Sequence, residues 1–226
     1  MRPFVFINIA MSADGKISTI DRRQVRISGT EDFARVDQVK AESDAIMVGI
    51  GTVLADNPSL TVKSPELQAM RSASGRDEHP IRIVVDSSGR TPLDADILHK
   101  GGGRRIVAVS RAAAEERVKA LREYADIITV GDDNVDVSAL FAELYRRDVR
   151  RLMVEGGGTL IWALLEEGLV DEIQAFIGNI IIGGKDAPTP VDGAGFLQEA
   201  DFVQLRMVET ERLDDGLLVR WNVVKD

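Results

Sequence analysis

The chain of 226 residues contains no cysteine. That single absence excludes disulfides, iron–sulfur clusters, thiolate nucleophiles and cysteine zinc sites. Histidine is almost missing as well. The two present, His79 and His99, stand in polar, loop-like stretches, which argues against a histidine metal centre; no metal is expected. Basic residues are in deficit, with 28 Lys and Arg against 37 Asp and Glu and a net charge of −9. A sequence-independent nucleic-acid binder needs a basic face to neutralise phosphates, so that class is excluded, although a local basic pocket for a small phosphorylated ligand is not. No apolar run is long enough for a bilayer. The opening MRPFVFINIAMSADGK carries Asn8 and runs into a charged segment, so neither a membrane span nor a secretory signal is expected. Hydrophobic residues at 44% and charged residues at 29% suit an ordinary globular chain. These exclusions leave a cytoplasmic enzyme or binding protein that works with carboxylates, hydroxyls and backbone amides.

Apolar, β-branched runs bounded by turn residues recur over residues 4–9, 45–48, 81–85, 105–109, 126–130, 151–154, 172–177, 203–210 and 217–223. Most lack strict alternation, as central strands covered on both faces do. Helical patterns lie between them. Residues 31–43 align Phe33, Val36 and Val39, and 114–124 align Val118, Leu121 and Tyr124 behind an N-cap at Ser110. Residues 137–147 carry Leu140, Phe141, Leu144 and Tyr145. Residues 159–167 carry Leu160, Ala163 and Leu164, then stop at Gly168 with Leu169 behind it, as a C′ glycine cap does. Strand alternating with helix predicts an α/β fold with a mostly parallel sheet flanked by helices. The last two runs, joined by Leu213-Asp214-Asp215-Gly216, predict a C-terminal antiparallel hairpin and therefore a mixed sheet. Residues 63–80 read as a mobile surface loop and Gly101–Gly103 as a plain turn. No repeat or composition shift divides the chain, so one domain over residues 1–226 is expected.

The strongest local signal is Val154-Glu155-Gly156-Gly157-Gly158-Thr159-Leu160, between a strand and an amphipathic helix. Three glycines let the backbone approach a ligand closely, and a helix N-terminus offers unpaired N–H groups to a phosphate. A tight strand-to-helix turn would use the same residues. Glu155 would repel a phosphate, so it is either solvated, a helix cap, or an acceptor for a donor-rich second substrate. A second signal, Val48-Gly49-Ile50-Gly51-Thr52-Val53-Leu54-Ala55-Asp56-Asn57-Pro58, sets Thr52 and Asp56 one turn apart on a short helix. Ligands of open α/β sheets bind outside the carboxyl ends of strands, so two such turns in one chain reinforce each other. In the third, Val84-Val85-Asp86-Ser87-Ser88-Gly89-Arg90, hydroxyls and an Arg after a strand suit a phosphomonoester such as the 2′-phosphate of NADP; a β-turn with a solvated Arg is the alternative.

These segments, in this order, resemble the riboflavin-biosynthesis reductase family. The likeness is carried by Met11-Ser12-Ala13-Asp14-Gly15-Lys16, Arg26-Ile27-Ser28, residues 49–58 with Leu60-Thr61-Val62, residues 83–87, residues 155–160 with Gly168-Leu169-Val170-Asp171-Glu172, and Ile182-Gly183-Gly184-Lys185-Asp186-Ala187-Pro188. It extends over nearly the whole chain. The resemblance implies a dihydrofolate-reductase-like single domain, NADPH as cofactor, a phosphorylated pyrimidine substrate and a homodimer. It assigns Ala10, Arg26, Thr52, Asp56, Ser87 and the glycine run Gly156, Gly157, Gly158 with Thr159, Leu160 and onward to Ala163 to the cofactor; Ser88 and Arg90 join Ser87 from the residue reading. To the substrate it assigns Asn8, Gln24, Lys40, Leu60, Lys63 and Glu155, with Glu155 and Asp56 as the candidate catalytic pair. Many relatives have Arg where Lys40 and Lys63 stand, which keeps the positive charge but not the bidentate fork. Bacterial fused enzymes tend to carry Lys at the Asn8 position, so Asn8 points to the free-standing archaeal or fungal type. A pathway deaminase needs His/Cys zinc ligands, and with no Cys this chain is expected to be a reductase without its own deaminase. The expected reaction is NADPH hydride transfer to C1′ of 2,5-diamino-6-ribosylamino-4(3H)-pyrimidinone 5′-phosphate, with the 5-amino-uracil analogue as alternative. A dihydrofolate reductase proper and a non-catalytic nucleotide-binding protein of the same fold are the competing readings.

Overall fold

The structure, a computed structural model, describes residues 1–22 and 25–225. Its elements begin with β1 (Phe4–Ser12), α1 (Thr30–Glu42), β2 (Ala45–Gly49), α2 (Ile50–Asp56), α3 (Pro65–Ala73) and β3 (Ile81–Val85). Next come α4 (Asp96–His99), β4 (Arg105–Val109), α5 (Glu115–Leu121), β5 (Asp126–Thr129), α6 (Val137–Arg146) and β6 (Arg151–Val154). The chain continues through α7 (Gly158–Glu166), β7 (Glu172–Gly178), a 3-10 turn over Glu199–Asp201, β8 (Leu205–Leu213) and β9 (Gly216–Val223). Two compact units emerge: one of Met1–Pro3 with Val36–Met153, the other of Phe4–Arg35 with Val154–Asp226. Among the described residues, no helix is long and apolar enough to cross a membrane.

The first unit is the predicted parallel α/β arrangement, with strand order β5-β4-β3-β2-β6. Ala45 pairs with Ile81, Arg82 with Arg105 and Ile106 with Asp126 along parallel ladders. Its β-branched strands are covered on both faces: Ile46, Met47, Val48, Ile83, Val84, Ile106, Val107 and Ala108 are all buried. Helix α6 packs Leu140, Phe141 and Leu144 inward and is closed by its own N-cap, since the Asp136 carboxylate accepts the Ala139 N–H.

Here the structure corrects three expectations. Within the expected mobile loop, residues 65–73 form α3: Ser64 caps it, Pro65 stands at its start, and Arg71 is buried at 2% exposure. The Arg71 guanidinium donates to the carbonyls of Ala41, Ser43 and Asp77 at 2.7, 2.8 and 2.7 Å. Ser110 is not the cap of α5, which starts later at Glu115; its hydroxyl donates instead to the Ser87 carbonyl. The glycines 101–103 are more than a turn. Buried Arg82 donates to the carbonyls of Lys100 and Gly102, and Arg105 to those of Gly101 and Gly103. His79, beside Gly101, lies in the loop between α3 and β3 as expected, but is buried there.

In the second unit β1 pairs in parallel with β7, and β9 and β8 follow antiparallel, which makes the sheet mixed as expected. The hairpin turn is Asp214-Asp215, with Asp214 in the left-handed region at φ 49°. That turn has a second task. The Asp214 carboxylate accepts the N–H groups of Glu31 and Asp32 at 3.1 and 3.0 Å, while Glu31 accepts the Asp214 N–H at 3.1 Å. This reciprocal cap closes the start of α1 from far along the sequence. A Cβ at position 29 would lie 2.4 Å from the Asp214 carboxylate, so a larger residue there would have to displace the cap. Phe33, expected on a buried stripe, is 51% exposed, with the Arg26 guanidinium 5.6 Å above its ring.

Candidate active site

In the first unit, β2 runs into α2 through Gly49, an N-cap with no side-chain bond. Thr52 is half-buried in the first turn, and nothing lies within 4 Å of where a Cβ on Gly51 would point. Asp56 is exposed as a residue, yet partial burial of its carboxyl raises its pKa above the ordinary 3.8. Asn57 ends the helix in the left-handed region, and its side chain accepts the Asp96 N–H at 2.8 Å. Leu60 is buried with φ 52°, an uncommon backbone for a branched side chain.

Lys63 follows, one residue before the Ser64 cap of α3. Its ammonium donates to Ser59 Oγ at 2.9 Å and to Thr61 Oγ1 at 2.7 Å. Burial first, then the charges of Lys40 and Lys100, lower its pKa from 10.5. Ser59, Thr61 and Lys63 converge although Leu60, with φ 52°, interrupts any regular extended run between them. No regular period therefore marks the two hydroxyls in the sequence.

At the end of β3, the fully buried Asp86 carboxylate accepts the Thr91 N–H and hydroxyl, both at 2.7 Å. Ser87 is half-buried and its Oγ accepts the Val135 N–H at 3.0 Å, which leaves its own O–H to donate. Ser88 and Arg90 are exposed, Arg90 with its Nε 4.0 Å from Asp86.

In the second unit, β6 ends at Val154 and Glu155 is half-buried just beyond it. The Gly156–Gly157 peptide is cis, and Gly156 has φ 122°, a conformation open to glycine alone. Gly157 is the N-cap of α7 and makes no side-chain cap. The first N–H groups of a nine-residue helix are therefore left to Gly158, Thr159 and Leu160, the arrangement that accepts a phosphate. Leu160 is buried. A Cβ on Gly158 would lie 2.9 Å from the Asp192 backbone nitrogen.

Ala10 is half-buried on β1 opposite Phe176. Asn8 is buried, paired in register with Gln174, and both side-chain carbonyls accept from the Arg35 guanidinium, at 2.8 and 2.9 Å. Asp32 completes that network through Arg35 Nε at 2.9 Å. Arg26 is exposed, and Gln24 lies outside the described residues. The motif over residues 11–16 and the glycine-rich stretch over 182–188 meet. Asp14 accepts from Ser12 Oγ and from the N–H groups of Ile182 and Gly183, and Lys16 donates to the Ala187 carbonyl. These bonds hold the Asp14 carboxyl well below its usual range, at about 2.

The fold is that of the pyrimidine-reductase-like α/β proteins. The Acinetobacter baumannii RibD structure matches at TM-score 0.80 and 24% identity, over 99% of this chain and 59% of that one. A pyrimidine reductase-like protein from Corynebacterium diphtheriae matches at 0.78 and 18%, over 99% and 93% of the two chains. The sequence goes further. The RibD C-terminal domain family model matches residues 3–219, and the chain belongs to that family. It is 52% identical over 219 residues to the 2,5-diamino-6-ribosylamino-4(3H)-pyrimidinone 5′-phosphate reductase of Archaeoglobus fulgidus, covering 97% of each. Its similarity to the Methanothermobacter thermautotrophicus protein of the same name is 42% over 223 residues, covering 99% of each.

Proposed function

We propose that the chain is the NADPH-dependent reductase of riboflavin biosynthesis that converts 2,5-diamino-6-ribosylamino-4(3H)-pyrimidinone 5′-phosphate to its ribitylamino form. The observation that carries this reading is the 52% identity to a reductase of that name along the full length of both chains. The uncapped α7 N-terminus and the available Ser87 hydroxyl fit a phosphate-bearing cofactor. When bound, NADPH supplies the hydride that reduces C1′ of the opened sugar.

The chain's own residues bind and orient. The backbone N–H groups at Gly158, Thr159 and Leu160 receive the pyrophosphate, and Ser87, Ser88 and Arg90 receive the 2′-phosphate. Ala10, Arg26 and Thr52 complete the cofactor contacts implied by the family. Glu155 accepts the amino and ring N–H groups of the pyrimidine, a role suited to an anion and not to a phosphate neighbour. Lys40 and Lys63 hold the ribose phosphate, with Asn8, Gln24 and Leu60 alongside. Asp56, whose pKa is raised by burial, manages the proton. Assembly as a cytoplasmic homodimer belongs to the same reading.

The test is oxidation of NADPH followed at 340 nm with the diamino-pyrimidinone and, separately, the amino-uracil phosphate. Turnover of the first at a higher kcat/KM than the second is expected. NADH should be at least about tenfold poorer, some 1.4 kcal/mol of differential binding, and Arg90→Ala should narrow that gap. No turnover of either pyrimidine overturns the proposal.

A further inference from the structure

Two cations assigned to one phosphate must be kept at a fixed spacing although they repel. Resting on the assignment of Lys40 and Lys63 to the substrate phosphate, we propose that Asp37 is a positioning residue. It ties the Lys63 segment to the turn of α1 that carries Lys40 and so sets the spacing of the two ammonium groups.

Asp37 is half-buried on α1, one helical turn before Lys40, and residues three apart share a helix face. Its Oδ1 accepts the Lys63 N–H at 2.7 Å and its Oδ2 accepts the Ser64 N–H at 2.8 Å. With both oxygens engaged on consecutive amides, the carboxylate fixes the direction of the chain as well as its position. Lys63 is thus held at both ends. Its backbone is held by Asp37, and its ammonium by the hydroxyls of Ser59 and Thr61, the latter residue only 6% exposed. A lysine stem is flexible and costly to order, so a site that needs its charge in one place gains from ordering it beforehand. Burial and then the like charges of Lys40 and Lys100 lower the pKa of Lys63, and Asp37 is among the charges that act the other way. Ser64, the second amide held, also caps α3 through the Leu67 N–H, so the grip extends to the start of that helix.

A merely structural cap and a positioning residue differ in what they do to phosphate recognition. Asp37→Asn keeps the shape but turns one acceptor into a donor that faces an N–H. Its KM for the phosphorylated pyrimidine should rise about tenfold, with kcat and the KM for NADPH within about twofold; tenfold corresponds to about 1.4 kcal/mol. Competitive inhibition by inorganic phosphate should weaken to the same degree. On the dephosphorylated ribosylaminopyrimidine, variant and wild type should be equal. Combining Asp37→Asn with Lys63→Gln should cost no more than Lys63→Gln alone. Equal losses on both substrates, or no loss on either, overturns the role of Asp37. Lys63→Gln separates the two levels. If it spares the KM of the phosphorylated substrate, the phosphate assignment falls and Asp37 with it. If it raises that KM while Asp37→Asn does not, only the Asp37 role falls. Should Asp37→Asn fail to fold, Asp37→Ser carries the same expectations.

Discussion

Replacing Arg71 with Met keeps most of the side-chain volume and removes the guanidinium. Three donated bonds of 2.7 to 2.8 Å are lost, to the carbonyls of Ala41, Ser43 and Asp77, at a site where Arg71 is 2% exposed. A hydrogen bond from a charged donor contributes about 1.5–3 kcal/mol, and each carbonyl left buried without a partner costs about 1–3 kcal/mol. Against this stands relief from burying a cation, the dominant cause that draws the Arg71 pKa below 12.5. Taking the low end for each bond and about 1–2 kcal/mol of relief leaves a net loss of about 3 kcal/mol. For a chain of this size that lowers Tm by roughly 6–12 °C. The damage is directed, because Ala41 lies in the last turn of α1, where a cation also complements the helix dipole. Urea unfolding followed by far-UV circular dichroism is the assay. Both tryptophans, Trp162 and Trp221, belong to the second unit, so their fluorescence does not report the first directly. A loss under about 1 kcal/mol would refute the reasoning, because even one unreplaced charged bond should exceed that.

Acidification should release Asp14 from Ile182 and Gly183. Its folded pKa of about 2 lies below the ordinary 3.8, so its contribution is complete above 3.8 and is lost as pH falls through 2. The amide shifts of Ile182 and Gly183 should titrate together with a midpoint near 2 and stay flat in Asp14→Asn. His79 should impose a dependence of the same sign at higher pH. Burial, and then the Arg82 charge, lower its pKa from 6.5, so below 6.5 the unfolded chain binds the extra proton and stability declines. Urea midpoints measured from pH 7 to 5 should show that slope, and His79→Leu should remove its share. Glu155→Gln should weaken productive substrate binding by about 1.5–3 kcal/mol and leave NADPH affinity within about twofold. Loss of NADPH binding with the substrate spared would reverse the assignment of Glu155.

The parallel strands were legible because burial on both faces writes continuous apolar runs, as in Ala45–Val48 and Ile106–Val109. The glycine turn before α7 was legible for a different reason: only glycine adopts the φ of 122° found at Gly156. Helix α3 escaped because its one buried residue is Arg71, and hydrophobic periodicity has no means of marking a buried charge. The tasks of Asp37 and Asp214 escaped because each carboxylate serves backbone amides distant in sequence, and such pairs leave no local pattern. Phe33 reads as core by spacing, yet Arg26 stacking accounts for it at the surface.

The cap that Asp214 places on α1 also orders events in time. The ribosome delivers β1 and the start of α1 first, and β9 and the Asp214 turn last. Nearly all of the first unit is one uninterrupted stretch, Val36–Met153, so its contacts are complete while synthesis continues. The second unit joins Phe4–Arg35 to Val154–Asp226 and has to wait for its far half. Until then Val5, Phe6, Ile7 and Ile9, all buried in the finished fold, form an apolar strand without its β7 partner. An unpaired apolar strand of this kind is an open edge for pairing with other nascent chains, a hazard that the finished fold no longer displays.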